Sequence, residues 1–201
     1  MSTPPSSVAF ETCAASLART RFNFVATVAH IAVAVAAARP LEQSRRLSWR
    51  AALALTTLSL LADVDVLAFR FGVPYSAPLG HRGATHSLLF AVIAGTATAL
   101  LLARSGGRSF FRTALAACLV AVSHPLLDAL TDGGLGVALF WPFSTARFFA
   151  PWRPIPVAPI GARMLSGRGL HVVAVEALWS LPLLVWAAWP RPAAATGTKT
   201  S

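Results

Sequence analysis

Three short stretches and one lone histidine hold most of the side chains here that could bind a metal ion or move a proton. They are ADVD (62–65), HRGATH (81–86), HPLLD (124–128) and His30. In HPLLD, His124 and Asp128 stand four apart, so on a helix they project from one face about 5–6 Å from each other. In ADVD, Asp63 and Asp65 straddle one residue near the C-terminal end of an apolar run, where an unwinding backbone can aim both carboxylates. In HRGATH, Gly83 supplies a turn that lets His81 and His86 face one centre. Imidazole and carboxylate with open positions suit Zn²⁺ first, with Mn²⁺ or Fe²⁺ as alternatives. Ca²⁺ and Mg²⁺ prefer shells made of oxygen.

The ligand set expected from these types is Asp63, Asp65, His86, His124 and Asp128, with His81 and His30 as further ligands or as partners behind them. A water activated by the ion would be the nucleophile. The spare carboxylate oxygen of Asp65 or of Asp132 would accept its proton, and Arg82 would face the negative charge that develops on a phosphoryl or acyl oxygen. Thr85 and Ser87 read as caps of the helix that follows. His171 and Glu176, at the start of the last apolar run, read as interfacial groups, Glu176 paired with an arginine.

The elements that must position these groups are apolar. Of 201 residues 56% are hydrophobic and 12% charged, and the mean hydropathy is +0.64. An ordinary soluble domain carries about twice that charge, so a membrane protein is expected. The net charge is +10. The arginines sit at the ends of apolar runs, where they meet headgroups, which argues against a nucleic-acid partner. Cys13 and Cys118 lack metal-binding or redox spacing. The N-terminus lacks a signal-peptide pattern.

Apolar runs at 22–38, 51–69, 87–103, 113–130 and 170–189 predict an all-α, polytopic bundle of four to five spanning or partly spanning helices. Residues 21–189 form one membrane-embedded domain in this reading, between flexible tails at 1–20 and 190–201. Residues 131–170 carry Gly133, Gly134, Pro142, Pro151, Pro154, Pro156 and Pro159, which break any long helix. This irregular segment is expected to wall the pocket. Alternating direction puts the end of the second run, the start of the third and the end of the fourth at one level. Asp63, Asp65, His81, Arg82, His86, His124 and Asp128 then converge, with His30 pointing into the same interior.

The stretches ADVDVL, HRGATHSLLF, SHPLLDALTDGG and LFWPFS, in that order, resemble motifs of the YdjM-like family. Its members are bacterial inner-membrane proteins described as LexA-regulated, membrane-bound, metal-dependent hydrolases. The resemblance runs from about residue 24 to 180. It implies that His30, the pair Asp63 and Asp65, the group His81, Arg82, Thr85, His86 and Ser87, and the pair His124 and Asp128 stand at family motif positions. It also implies a multi-pass protein of the bacterial inner membrane that hydrolyses an ester or phosphoester. A lipid or other amphiphile is the natural substrate at headgroup depth.

A non-catalytic metal-binding or metal-transport protein is the rival reading, and it would want polar groups threading the whole membrane. Loops 39–50 and 104–112 hold seven arginines in 21 residues, against six in 57 for loops 70–86 and 131–170. The positive-inside bias then puts the site on the extracytoplasmic side; Arg19 and Arg21 weigh the other way.

Overall fold

A computed structural model describes residues 28–41, 49–106, 109–159 and 164–189. The expected tails at 1–20 and 190–201, and residues 22–27 of the first run, lie outside the described residues. Among the described residues there are five α-helices: α1 (Val28–Ala38), α2 (Trp49–Leu60), α3 (Leu88–Gly106), α4 (Phe110–Ala129) and α5 (Gly167–Ala188). Past Leu60 the chain tightens into a 3-10 helix, Leu61–Phe71, ended by Gly72 at φ 75°. The second apolar run thus spans Trp49–Phe71 in two windings. That segment, α4 and α5 are long and apolar enough to cross a membrane, while Val28–Leu41 and Leu88–Arg104 are shorter apolar helices.

The bundle is packed with small residues and faces outward with large ones. Ala34, Ala38, Ala51, Ala99, Ala117 and Ala121 meet Leu55 and Val120 in the main core. Leu101, Leu119, Leu178 and Trp186 are exposed. Lipid is as apolar as leucine, so it supplies no hydrophobic drive between helices. Small side chains instead let backbones approach closely enough for dispersion to hold them. Gly95 marks the tightest approach of α3 to α4: a Cβ there would lie 2.8 Å from the Cα of Cys118.

At the end away from the histidines, Arg39 is buried. Its guanidinium donates to the Trp189 carbonyl at 2.6 Å and lies 4.4 Å from the Trp186 ring centroid. An arginine that the sequence places in a headgroup loop here ties α1 to the end of α5. Among the described residues there is no strand. Segment 131–159 is held by isolated bridges, Thr131 with Ile155 and Val137 with Phe148.

Arg147 pins that segment to the loop before α3. It donates to the carbonyls of His81 (3.0 Å), Gly136 (3.4 Å), Tyr75 (3.1 Å) and Ala77 (3.2 Å). A planar guanidinium with five donors can serve several carbonyls at once, which a lysine cannot.

Candidate metal centre

The 3-10 winding matters first at Asp63 and Asp65. Residues two apart on an α-helix are separated by about 200° and point almost oppositely; at three residues per turn they are separated by about 120°. The tighter winding lets both carboxylates reach one ring. Asp63 Oδ1 lies 3.7 Å from Nε2 of His86, and Asp65 Oδ2 lies 3.0 Å from its Nδ1.

His86 is delivered by the turn before α3. A Cβ on Gly83 would fall 2.2 Å from the Pro78 carbonyl oxygen, so this turn admits only glycine. Arg82 has φ 61°, a left-handed conformation that costs a bulky residue of order 1–3 kcal/mol. Its backbone offsets that strain on both sides: its N–H donates to Asp65 Oδ2 (3.1 Å), and its carbonyl accepts from Ala138 N–H (3.0 Å). Ser87 caps α3, accepting from the N–H of Phe90. Thr85 does not act as a cap: its hydroxyl donates to Asp65 Oδ2 at 2.7 Å.

Four atoms then face one another. Nε2 of His86 and Nε2 of His124 are 3.1 Å apart. Asp128 Oδ2 is 3.2 Å from the first and 3.8 Å from the second. Asp63 Oδ1 is 3.7 Å and 3.6 Å from the same two nitrogens. A tetrahedral ion with ligands at 2.0–2.1 Å has ligand-to-ligand edges of about 3.3–3.4 Å. The spacings bracket that value.

Hydrogen bonding fixes the protons. His124 Nδ1 lies 2.6 Å from the Ser59 carbonyl, an acceptor, so that nitrogen carries the hydrogen. His86 Nδ1 faces the Asp65 carboxylate, with the same consequence. In neutral imidazoles both Nε2 atoms therefore present lone pairs to each other, an arrangement that needs a positive charge between them. Without a metal, that charge is a proton. Burial opposes charging His86, but Asp128, Asp63 and Asp65 outweigh it and hold its pKa well above the ordinary histidine range.

Among the described residues neither oxygen of Asp63 has a hydrogen-bond partner, although both are buried. A buried carboxylate left without hydrogen bonds is costly even beside histidines, and a divalent cation would remove that cost. The donor set suits a metal ion, and the partners behind each histidine follow the pattern by which metal-bound imidazoles are oriented.

The remaining expected residues flank this core. His30 stacks on His124, with centroids 4.0 Å apart, and its Nε2 is 3.9 Å from Asp128 Oδ1. His81 Nδ1 is 2.7 Å from Asp65 Oδ1. Arg82 Nε lies 3.2 Å from Asp128 Oδ2, while Nη1 donates to Thr131 Oγ1 and the Gly133 carbonyl. Among the described residues three groups have ligand atoms within 4.8 Å of one another: His30, His124 and Asp128; Asp63, His86 and His124; Asp65, His81 and His86.

Two expected roles change. Asp132 is exposed and its Oδ1 accepts the N–H of Val157, so it braces the segment wall instead of joining the cluster. Asp65 has both oxygens engaged, by His81 on one and by Arg82, Thr85 and His86 on the other. It orients and has no spare oxygen to take a proton.

Among the described residues Glu176 has no arginine partner. It is buried, and its Oε2 accepts the N–H groups of Val28 and Ala29 in α1. Ser59 is a participant the sequence did not announce. Its hydroxyl donates to the His30 carbonyl while its own carbonyl orients His124. No motif marks such a backbone role.

A cavity of about 510 Å³, mouth included, adjoins the cluster; its wall includes His30, Tyr75, His81, Arg82, Asp128 and Thr131, so of the four facing residues Asp128 borders it. Burial raises the Tyr75 phenol to about 12, so it stays protonated.

Comparison with known sequences agrees with the motifs. The family model described as YdjM inner membrane protein matches residues 25–194. The chain belongs to this family. Inner membrane protein YbcI of Escherichia coli (strain K12) is 44% identical over 128 residues, covering 61% of this chain and 71% of that protein. No solved structure matches. As a YdjM-family protein with, among the described residues, three helices long and apolar enough to cross a bilayer, this chain is an inner-membrane protein whose buried His and Asp groups could hold a metal ion.

Proposed function

We propose that this YdjM-family protein is a membrane-bound metal-dependent hydrolase of esters or phosphoesters, with zinc as its ion. The observation that carries the reading is the pair of opposed Nε2 lone pairs of His86 and His124, closed by Asp128 and by an Asp63 without hydrogen bonds, beside a cavity that Arg82 helps to line.

His86, His124, Asp63 and Asp128 would hold the ion. Bound there, it would supply Lewis acidity, polarising the scissile group and bringing the pKa of water down towards about 7. The chain supplies the rest. Asp65 and the Ser59 carbonyl fix both imidazoles. Arg82, held by Asp128, Thr131 and Gly133, keeps positive charge at the cavity wall for the charge that builds on the substrate oxygen. Tyr75, protonated, lines the same wall. Segment 131–159 covers the centre, as irregular backbone at membrane depth must line a polar cavity to be tolerated.

The rival, a metal permeation path, is disfavoured by the opposite half of the bundle, where Ala34, Ala38, Ala51, Ala99 and Ala117 pack. The short basic loops support an extracytoplasmic site.

The test is hydrolysis of bis-p-nitrophenyl phosphate and p-nitrophenyl acetate by purified protein, before and after chelation and after zinc is restored. Hydrolysis that follows zinc supports the reading. A zinc-loaded protein inert on both, yet moving zinc across proteoliposomes, would replace it with transport.

A further inference from the structure

A second cavity abuts the first. It is a groove of about 570 Å³, mouth included, between α1, α4, α5 and residues 152–155. Its wall is apolar: Val33, Leu130, Trp152, Trp179 and Leu183 line it. The two cavities share Ala29, Leu127, Ile155 and Glu176, so they meet along one boundary. One side of that boundary holds His30, His81, Arg82 and Asp128; the other holds aliphatic and indole surface.

The groove also opens on the outward surface of the bundle. Trp152 and Trp179 are 63% and 53% exposed and meet edge to face at 5.9 Å, and Leu183 is 37% exposed. A chain lying in the membrane can therefore enter from the side, along α5, without crossing water.

We propose that this groove seats the acyl chain of a single-chain amphiphile whose anionic phosphoester head occupies the polar cavity. Three features commit the pair of cavities to that occupant. The apolar arm adjoins the polar one across shared residues, it opens on the outer surface beside α5, and the polar arm contains a buried arginine where a phosphate would sit. An apolar tail gives positional energy through burial, while the charged head sets which bond faces the centre. The metal centre is taken as the reacting end, as under Proposed function.

The experiment uses the full chain in nanodiscs, loaded with zinc. A trace of lysophosphatidic acid carrying a diazirine in its acyl chain is photolysed, and labelled residues are mapped by mass spectrometry. Labelling at Leu130, Trp152, Trp179 and Leu183 is expected to exceed that at the lipid-facing Leu101 and Leu119 several-fold. A monoacylglycerol with the same photoactive chain should lose that excess.

Even labelling over all apolar faces overturns the groove assignment. Equal excess with both probes overturns the anionic head. Hydrolysis is scored separately on the water-soluble phosphodiester. Groove labelling without hydrolysis upholds the amphiphile site and removes the hydrolase; hydrolysis with even labelling does the reverse.

Discussion

Asp65 stands behind His86: its Oδ2 lies 3.0 Å from the imidazole Nδ1, on the far side of the ring from the Nε2 that faces His124. The same carboxylate gathers His81, Thr85 and the backbone of Arg82. Its work is orientation. Asp65→Asn should therefore keep the helical fold and weaken zinc binding by about 10–100-fold, the usual cost of losing a partner behind a metal-bound histidine. Competition with a fluorescent zinc chelator measures this directly. Unchanged affinity would remove Asp65 from the supporting frame.

Arg147 contributes no ligand, yet it fastens the loop that delivers His81 and Arg82 to segment 131–150 through the three loop carbonyls of Tyr75, Ala77 and His81, and braces the segment itself through Gly136. Replacing it with Met orphans acceptors that are partly buried, at about 1.5–3 kcal/mol for a charged hydrogen bond. Arg147→Met should lower the thermal midpoint in detergent and make tryptic cleavage within 131–159 faster. Arg147→Lys should recover little of either, since one ammonium cannot span the four positions. Full rescue by lysine would show that charge alone suffices.

The α3–α4 contact gives a prediction about folding alone. Gly95→Ala puts a methyl 2.8–2.9 Å from the Cα, N and Sγ of Cys118. Overpacking of this kind costs about 1–3 kcal/mol. Thermal unfolding in detergent should reveal the loss, and adding Cys118→Ala should restore only part of it, because two of the three close atoms are backbone. Complete restoration would place the strain in the sulfur.

Much of this was legible in the sequence because connectivity does the work. Given alternating apolar runs, Asp63, His86 and His124 must reach the same level whatever the packing detail, and they do. The 3-10 winding of Leu61–Phe71 was only hinted at, since the ADVDVLAF stretch has no breaker, yet it is what aims Asp63 and Asp65 at one ring.

Chemistry that passes through the backbone was hidden altogether. Ser59 acts by its carbonyl, which every residue has, and Arg147 acts on carbonyls from distant loops. Asp132 misled for the converse reason: proximity along the chain to Asp128 says nothing about direction once α4 has ended at Ala129. Glu176 looked interfacial because the donors it satisfies, at Val28 and Ala29, are invisible until α1 and α5 are seen side by side.

The central claim is that His86, His124, Asp63 and Asp128 hold one transition-metal ion. Elemental analysis of protein purified in detergent with zinc supplied, and then exhaustively dialysed, tests it most directly. Wild-type protein should retain about one zinc per chain, and Asp63→Asn and His124→Ala should each retain little while keeping native helicity. Metal-free wild-type protein, or full retention in both variants, would contradict the account.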